Sequence, residues 1–277
     1  MKKILTAGLV LATMSGAALA ADLPSRVAPP VYMPPPVPVF TWTGGYFGIN
    51  AGYAFDSTTR INTFNGTGSA TGVGTSRIAR YTSSADGFTG GGQVGYNFQI
   101  PGFGGFGGPG SGIVFGVEAD AAYTDLNRGN TFSYGGRTTT FRTGLDYLGT
   151  VRGRVGYAFN QFLIYGTGGF AYGGTNNRAT FVGANNLVNY SGSNSDMATG
   201  YAYGGGIEYA LPTSSFLNFF KSSAVTIKAE YLHYDLGRSN VTVAATGNNG
   251  SAGAYTAHFK NDGDLARVGL NYKFGSY

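Results

Sequence analysis

Arg267-Val268-Gly269-Leu270-Asn271-Tyr272-Lys273-Phe274, close to the C-terminus, decides how the rest of the chain is read. In an extended segment, Val268, Leu270, Tyr272 and Phe274 fall on one side and Arg267, Gly269, Asn271 and Lys273 on the other, the two-residue period of a β-strand. One face is greasy and ends in two aromatics. The other is polar or tiny. Such a strand suits a wall with oil on one side and water or polar groups on the other.

The same alternation recurs along the chain upstream. Phe47, Ile49, Ala51, Tyr53 and Phe55 alternate with Gly48, Asn50, Gly52 and Ala54; Val94, Tyr96 and Phe98 alternate with Gln93, Asn97 and Gln99. Ile113, Phe115, Val117, Ala119, Ala121 and Tyr123 stand opposite Glu118 and Asp120. Tyr147, Val151, Val155, Tyr157 and Phe159 stand opposite Arg152 and Arg154. Residues 162–173 form a strand whose two faces are equally acceptable, so its register stays open. Tyr201, Tyr203, Ile207 and Tyr209 then oppose Glu208, and Val225, Ile227, Ala229 and Tyr231 oppose Lys228 and Glu230. Eight strands, each long enough for a tilted crossing of the hydrocarbon layer, can close without leaving an edge.

Arg267, Gly269, Tyr272 and Phe274 also resemble the closing-strand signal of bacterial outer-membrane barrels, which implies a role in assembly. Here Gly275, Ser276 and Tyr277 follow the last of these aromatics.

Composition agrees with a barrel. Charged residues are 11% of the 277, against roughly 25% in a typical soluble domain, while Gly reaches 48 and Tyr and Phe 20 each. That mix is poor for helices and suits strands, tight turns and aromatic girdles. Met1-Lys2-Lys3, the apolar run from Ile4 to Leu11 and the small residues Ala18-Leu19-Ala20 have the three parts of a secretory signal. Cleavage after residue 20 of 277 leaves 257 residues, and losing Lys2 and Lys3 lowers the formal charge from +5 to +3. No later stretch approaches about 20 consecutive apolar residues, so any crossing has to be made by strands. With no basic run, nothing calls for nucleic acid. The absence of cysteine is compatible with export.

The expected organisation is a signal peptide (1–20), a Pro-rich periplasmic N-terminal arm (21–44) and a transmembrane barrel (45–277). Pro24, Pro29, Pro30, Pro34, Pro35, Pro36 and Pro38 favour an extended polyproline arm. Trp42, the single tryptophan, reads as an interfacial anchor at the first strand, with burial in a core as the alternative. Polar segments 57–87, 125–144, 174–196 and 237–262 read as long loops with shorter turns between them, and the resemblance to known outer-membrane barrels implies that the long loops are extracellular and the turns periplasmic. The turn over 101–112 is longer than that pattern expects.

Eight strands enclose a space that side chains just fill. The inward charges expected near mid-height are Glu118, Asp120, Arg152, Arg154, Lys228, Glu230 and Arg267, with Glu208 nearer the periplasmic end. Counting from the strand ends puts Glu118 level with Arg154 and Asp120 level with Arg152. Unpaired charge in a narrow interior is costly, so a structural network is expected; the alternative is a charged constriction in a small-solute porin.

Catalytic and cofactor chemistry find little support. His233 and Asp235 share a strand face two residues apart, about 7 Å, too far for a hydrogen bond. An aromatic-belt role fits His233 better, and His258 reads as a solvated loop residue with no second metal ligand at a useful spacing. Gly90-Gly91-Gly92, Gly104-Gly105 and Gly204-Gly205-Gly206 precede no helix pattern, so they are not phosphate loops. No catalytic residue, cofactor or metal is expected.

Taken whole, the chain resembles the small outer-membrane β-barrel family of alpha-proteobacteria, the opacity-like or porin-like proteins of rhizobia and brucellae. The likeness is carried by Ala21-Asp22-Leu23-Pro24, Phe40-Thr41-Trp42-Thr43-Gly44-Gly45-Tyr46, Phe115-Gly116-Val117-Glu118-Ala119-Asp120 and Lys228-Ala229-Glu230-Tyr231-Leu232. It implies an all-β, eight-stranded antiparallel transmembrane barrel in the outer membrane, serving envelope integrity and surface interaction. The implied partners are outer-membrane lipid and lipopolysaccharide, the barrel-assembly machinery, and host or surface ligands met through the loops.

Overall fold

The computed structural model describes residues 40–65, 80–103, 107–212, 215, 224–247 and 253–275. The expected signal peptide, most of the proline-rich arm and most of the turn expected over 211–222 lie outside the described residues. Eight strands follow one another: β1 (Gly44–Asn65), β2 (Arg80–Pro101), β3 (Gly112–Tyr134), β4 (Arg137–Phe159), β5 (Phe162–Val182), β6 (Val188–Ala210), β7 (Ala224–Ala245) and β8 (Ala254–Lys273). Every neighbour is antiparallel, and β8 returns to β1, so the sheet is a closed barrel in chain order. The seam runs from Tyr46↔Lys273 to Asn65↔Tyr255 and carries one irregularity between Phe55 and Thr58.

The strands are 20 to 23 residues long, well beyond what the alternation alone marks out. At ~3.4 Å per residue and a tilt of ~40°, such strands rise roughly 55 Å, about twice the height of an apolar band of ~25 Å. The wall therefore has two storeys. In the lower one the expected outward side chains are exposed, among them Ile49 (67%), Val117 (62%) and Val268 (60%). Their inward neighbours Gln93, Asn97, Glu118, Arg152 and Lys228 are buried. Val225, expected to face out, is covered.

The upper storey reverses this sidedness. Phe141, Phe181, Tyr190, Val243, Tyr255 and Phe259 point inward and are buried. Phe141 meets Phe181 and Phe259 edge-on at 6.1 and 6.2 Å, and Tyr190 meets Tyr255 at 5.0 Å. Outside stand polar pairs such as Thr131–Thr140, with 3.1 Å between hydroxyls, and Ser133–Thr138, with 3.3 Å. The segments read as outer loops are therefore largely strand. Residues 135–136 and 183–187 suffice to link β3 to β4 and β5 to β6. A rule that looks for apolar residues facing lipid passes over strands that stand in water, because water belongs on their outer side.

β5 settles its register through its inward residues. Leu163, Tyr165 and Ala171 are buried, while Ile164 and Phe170 face out. Between β4 and β5, Asn160 takes a left-handed conformation (φ 58°), which asparagine tolerates, and makes the two-residue turn possible.

Candidate functional site

The lower lumen is crossed by one ionic cluster contributed by five strands. Its cations are Arg152, Arg154, Lys228 and Arg267, and its carboxylates are Glu118, Asp120, Glu208 and Glu230, four of each. Alternation aims them at one another: Glu118 and Asp120 on β3, Arg152 and Arg154 on β4, Glu208 on β6, Lys228 and Glu230 on β7, Arg267 on β8. Their side chains are at most 3% exposed. Buried charges of this kind have to be paired and hydrogen-bonded.

The pairing is dense. Glu118 accepts from Arg152 at 2.7 Å and from the Lys228 ammonium at 2.8 and 2.9 Å, with Arg154 and Arg267 at 3.6 and 3.7 Å. Arg267 forks onto Asp120, its Nη1 and Nη2 donating at 2.9 and 3.1 Å, and its Nε donates to Glu230 at 2.7 Å. Two fixed donors in one plane make such guanidinium–carboxylate pairs directional. Arg152 also donates to Asp120 at 2.9 Å and lies 3.2 Å from Glu230. Arg154 donates to Glu208 at 2.7 Å.

The level assignment differs from the one counted from the strand ends. The register pairs Glu118 with Arg152 and Gly116 with Arg154, and places Thr150 opposite Asp120. Ile113 meets Tyr157, so β3 and β4 are offset by two residues from a count that starts at Ile113 and Phe159. Arg152 therefore serves both Glu118 and Asp120, and Arg154 is released to reach Glu208.

Neutral groups complete the network, and reading by charge missed them. The Tyr46 hydroxyl donates to Glu118 at 2.7 Å and accepts from Arg154 at 2.9 Å. Tyr165 donates to Glu230 at 2.9 Å, and its ring lies 3.9 Å from the Arg154 guanidinium carbon. Thr150 donates to Asp120, while Thr226 and Asn271 donate to Glu208. No single strand carries their signal, because it lies in the cross-strand register: Tyr46 is paired with Gly95 and Tyr165 with Gly206. A Cβ on Gly95 would sit 2.4 Å from the Tyr46 ring and hydroxyl, and one on Gly206 would sit 2.8 Å from the Tyr165 hydroxyl. Each phenol lies across a position that only glycine leaves open.

Both ends of the cluster are stoppered. Towards the chain termini, Trp42 is fully buried among Val114, Ala158, Leu163, Tyr165 and Ala210, with Phe40 edge-on at 5.2 Å. Its indole N–H donates to the Asn160 carbonyl at 2.8 Å, and its backbone N–H to Gln99 Oε1 at 2.7 Å. Trp42 is thus a core residue and not an interfacial anchor: the end of the arm turns into the barrel mouth, where the tight turn presents a carbonyl. Lys273 holds the same segment, donating to the Thr43 carbonyl at 2.7 Å. On the other side lies an apolar layer that includes Leu126, Leu145, Leu148, Leu232, Tyr234 and Leu265. Truncating a buried aromatic costs ~3–5 kcal/mol. Trp42→Ala is expected to show that loss in urea-induced unfolding of the folded barrel, together with the loss of the single tryptophan's buried emission; an unchanged midpoint would remove Trp42 from the core.

The closing-strand residues take two positions. Arg267 and Gly269 face the lumen, whereas Tyr272 and Phe274 form an outward aromatic cluster with Phe47 at 5.7 and 5.6 Å. His233 Nδ1 lies 2.9 Å from Asp264, which also accepts from the Tyr231 hydroxyl at 2.7 Å. Asp235 is engaged elsewhere, 3.0 Å from the Lys260 ammonium. His258 lies on β8 rather than in a loop and reaches Asn240 across the ladder at 2.5 Å. Among the described residues no group of three or more His, Cys, Asp or Glu is placed to hold a metal ion.

An eight-stranded closed barrel with an apolar outer belt and an ionic lumen is the architecture of an outer-membrane barrel protein. No protein-family model matches the chain. The 31 kDa outer-membrane immunogenic protein of Brucella melitensis is 32% identical over 282 residues, covering 99% of this chain and 100% of that protein. A 22 kDa outer membrane protein of Rhizobium leguminosarum bv. viciae is 32% identical over 169 residues, covering 59% of this chain and 61% of that protein. Among solved structures, the outer membrane protein OprG from Pseudomonas aeruginosa covers 85% of this chain and 99% of its own at 15% identity and a TM-score of 0.42. The chain belongs to the alpha-proteobacterial family of outer-membrane immunogenic proteins, and its place is the outer membrane.

Proposed function

We propose that the protein is a structural, non-catalytic barrel that contributes to envelope integrity and presents its upper storey for surface interaction. The observation that carries this reading is the filled lumen. Four cations and four carboxylates neutralise one another between the Trp42 stopper and an apolar layer. A constriction built to pass ions would keep one sign of charge facing a wet path. Here each charge is held by partners of opposite sign.

Planar-bilayer recording of the purified, folded protein tests the reading. The expected record shows no steady conductance above that of the bare membrane. Steady, charge-selective openings that change in Arg152→Ala would establish the small-solute porin instead. In cells, loss of the protein is expected to lower resistance to detergents, and normal detergent resistance with lost solute uptake would again favour the pore.

A further inference from the structure

On the outer face of β3, β4, β5 and β6, above the apolar belt, lies a depression of about 410 Å³. Arg142 and Arg178 flank it, on adjacent strands and directly opposite each other in the register. Gly129, the cross-strand partner of Arg142, and Gly144 also line it, and Ser193 and Ser195 supply hydroxyls. Directly opposed like charges destabilise a sheet. Both arginines are exposed, and among the described residues neither side chain has a carboxylate within 4.0 Å or makes a hydrogen bond. Arg128, a third cation in the lining, has an exposed contact with Asp86 at 3.9 Å. The Asp146 carboxylate is turned to Asn176, from which it accepts a hydrogen bond.

Height identifies the occupant. The Arg142–Arg178 row stands four residues above Gly174, the partner of the belt residue Tyr147. Four residues are ~13 Å along a strand and ~10 Å of height at a ~40° tilt, which reaches the headgroup layer above the hydrocarbon edge. Two guanidiniums and two hydroxyls around a shallow cavity suit a tetrahedral oxyanion, since each guanidinium can fork onto phosphate oxygens.

We propose that this depression binds the phosphate of an outer-leaflet lipid headgroup, which would relieve the Arg142–Arg178 repulsion and fix the barrel to its surrounding lipid. The site rests on the envelope role proposed above but can fail separately: a barrel closed to ions and indifferent to lipid phosphate leaves that role standing and removes this site.

The test uses the full mature barrel in detergent micelles, checked for folding by its heat-dependent gel mobility. Native mass spectrometry would compare the binding of phosphorylated lipid A, the same lipid stripped of phosphate, and inorganic phosphate alone. The expected result is a preference of ~10-fold or more for the phosphorylated lipid, equivalent to ~1.4 kcal/mol, that weakens with added salt and is lost in Arg142→Gln/Arg178→Gln. Without lipid, that double variant should be at least as stable as the parent, because the repulsion is gone; the single Arg178→Gln variant offers the same comparison should the double one fold poorly. Equal binding of the stripped lipid, an undiminished preference in the variants, or inorganic phosphate competing as strongly as the lipid would each overturn the proposal.

Discussion

Glu118→Gln is expected to destabilise the folded barrel by ~3–5 kcal/mol, the range found when one partner of a buried ion pair is removed. Glu118 faces four cations, and the substitution keeps its shape while leaving four buried cations against three carboxylates. It weakens above all the hydrogen bonds that Glu118 accepts from Arg152 and Lys228. Urea unfolding followed by gel mobility reads the loss. The decisive comparison adds Lys228→Met, which restores a balance of three and three with a side chain of similar length. If neutrality governs the lumen, the double variant recovers much of the lost stability; additive losses would show instead that each group acts through local packing.

A still larger effect is expected at the seam where the barrel closes. Gly48 on β1 lies opposite Asn271 on β8, and a Cβ there would sit 2.3 Å from the Leu270 carbonyl oxygen and 2.2 Å from the Asn271 side-chain oxygen. The carbonyl belongs to the backbone and cannot step aside. Gly48→Val should therefore keep β1 and β8 apart. An open sheet leaves unpaired backbone groups facing hydrocarbon, each costing several kcal/mol. Almost none of this variant should reach the heat-modifiable folded form in outer-membrane fractions. A useful control is Gly45→Ala on the same strand, where the nearest atoms to a new Cβ lie 3.9 Å away. Normal folding of Gly48→Val would mean that the strands part more readily than their packing implies.

The lower storey was legible because lipid imposes an unambiguous rule. Ile49, Val117, Val151 and Val268 face outward, and Glu118, Arg152, Lys228 and Arg267 face the lumen, as alternation places them. What alternation lacks is a vertical coordinate. The offset of β3 against β4 depends on pairing Gly112 with Ala158, which no single strand reveals, so alternation puts the charges in the right chamber but shifts their partners. An indole near a strand entrance satisfies either an interface or a core, and alternation does not choose between the two for Trp42. Its acceptor, the Asn160 carbonyl, is 118 residues away in sequence. Tyr46 and Tyr165 matter through the glycines they cross, which lie on other strands and which no single strand reveals. The upper storey escaped for a physical reason too: Phe141, Phe181 and Phe259 obey the rule for a wall in water.

That reversal bears on how the outer part of the molecule can change over generations. A residue such as Thr140 or Ser133 touches solvent and a neighbouring hydroxyl, so exchanging it disturbs little beneath, whereas Phe141 one step away is locked among other rings. The barrel thus displays a mutable coat over a fixed frame, and the face it turns to the outside world can drift while the cylinder that carries it stays the same.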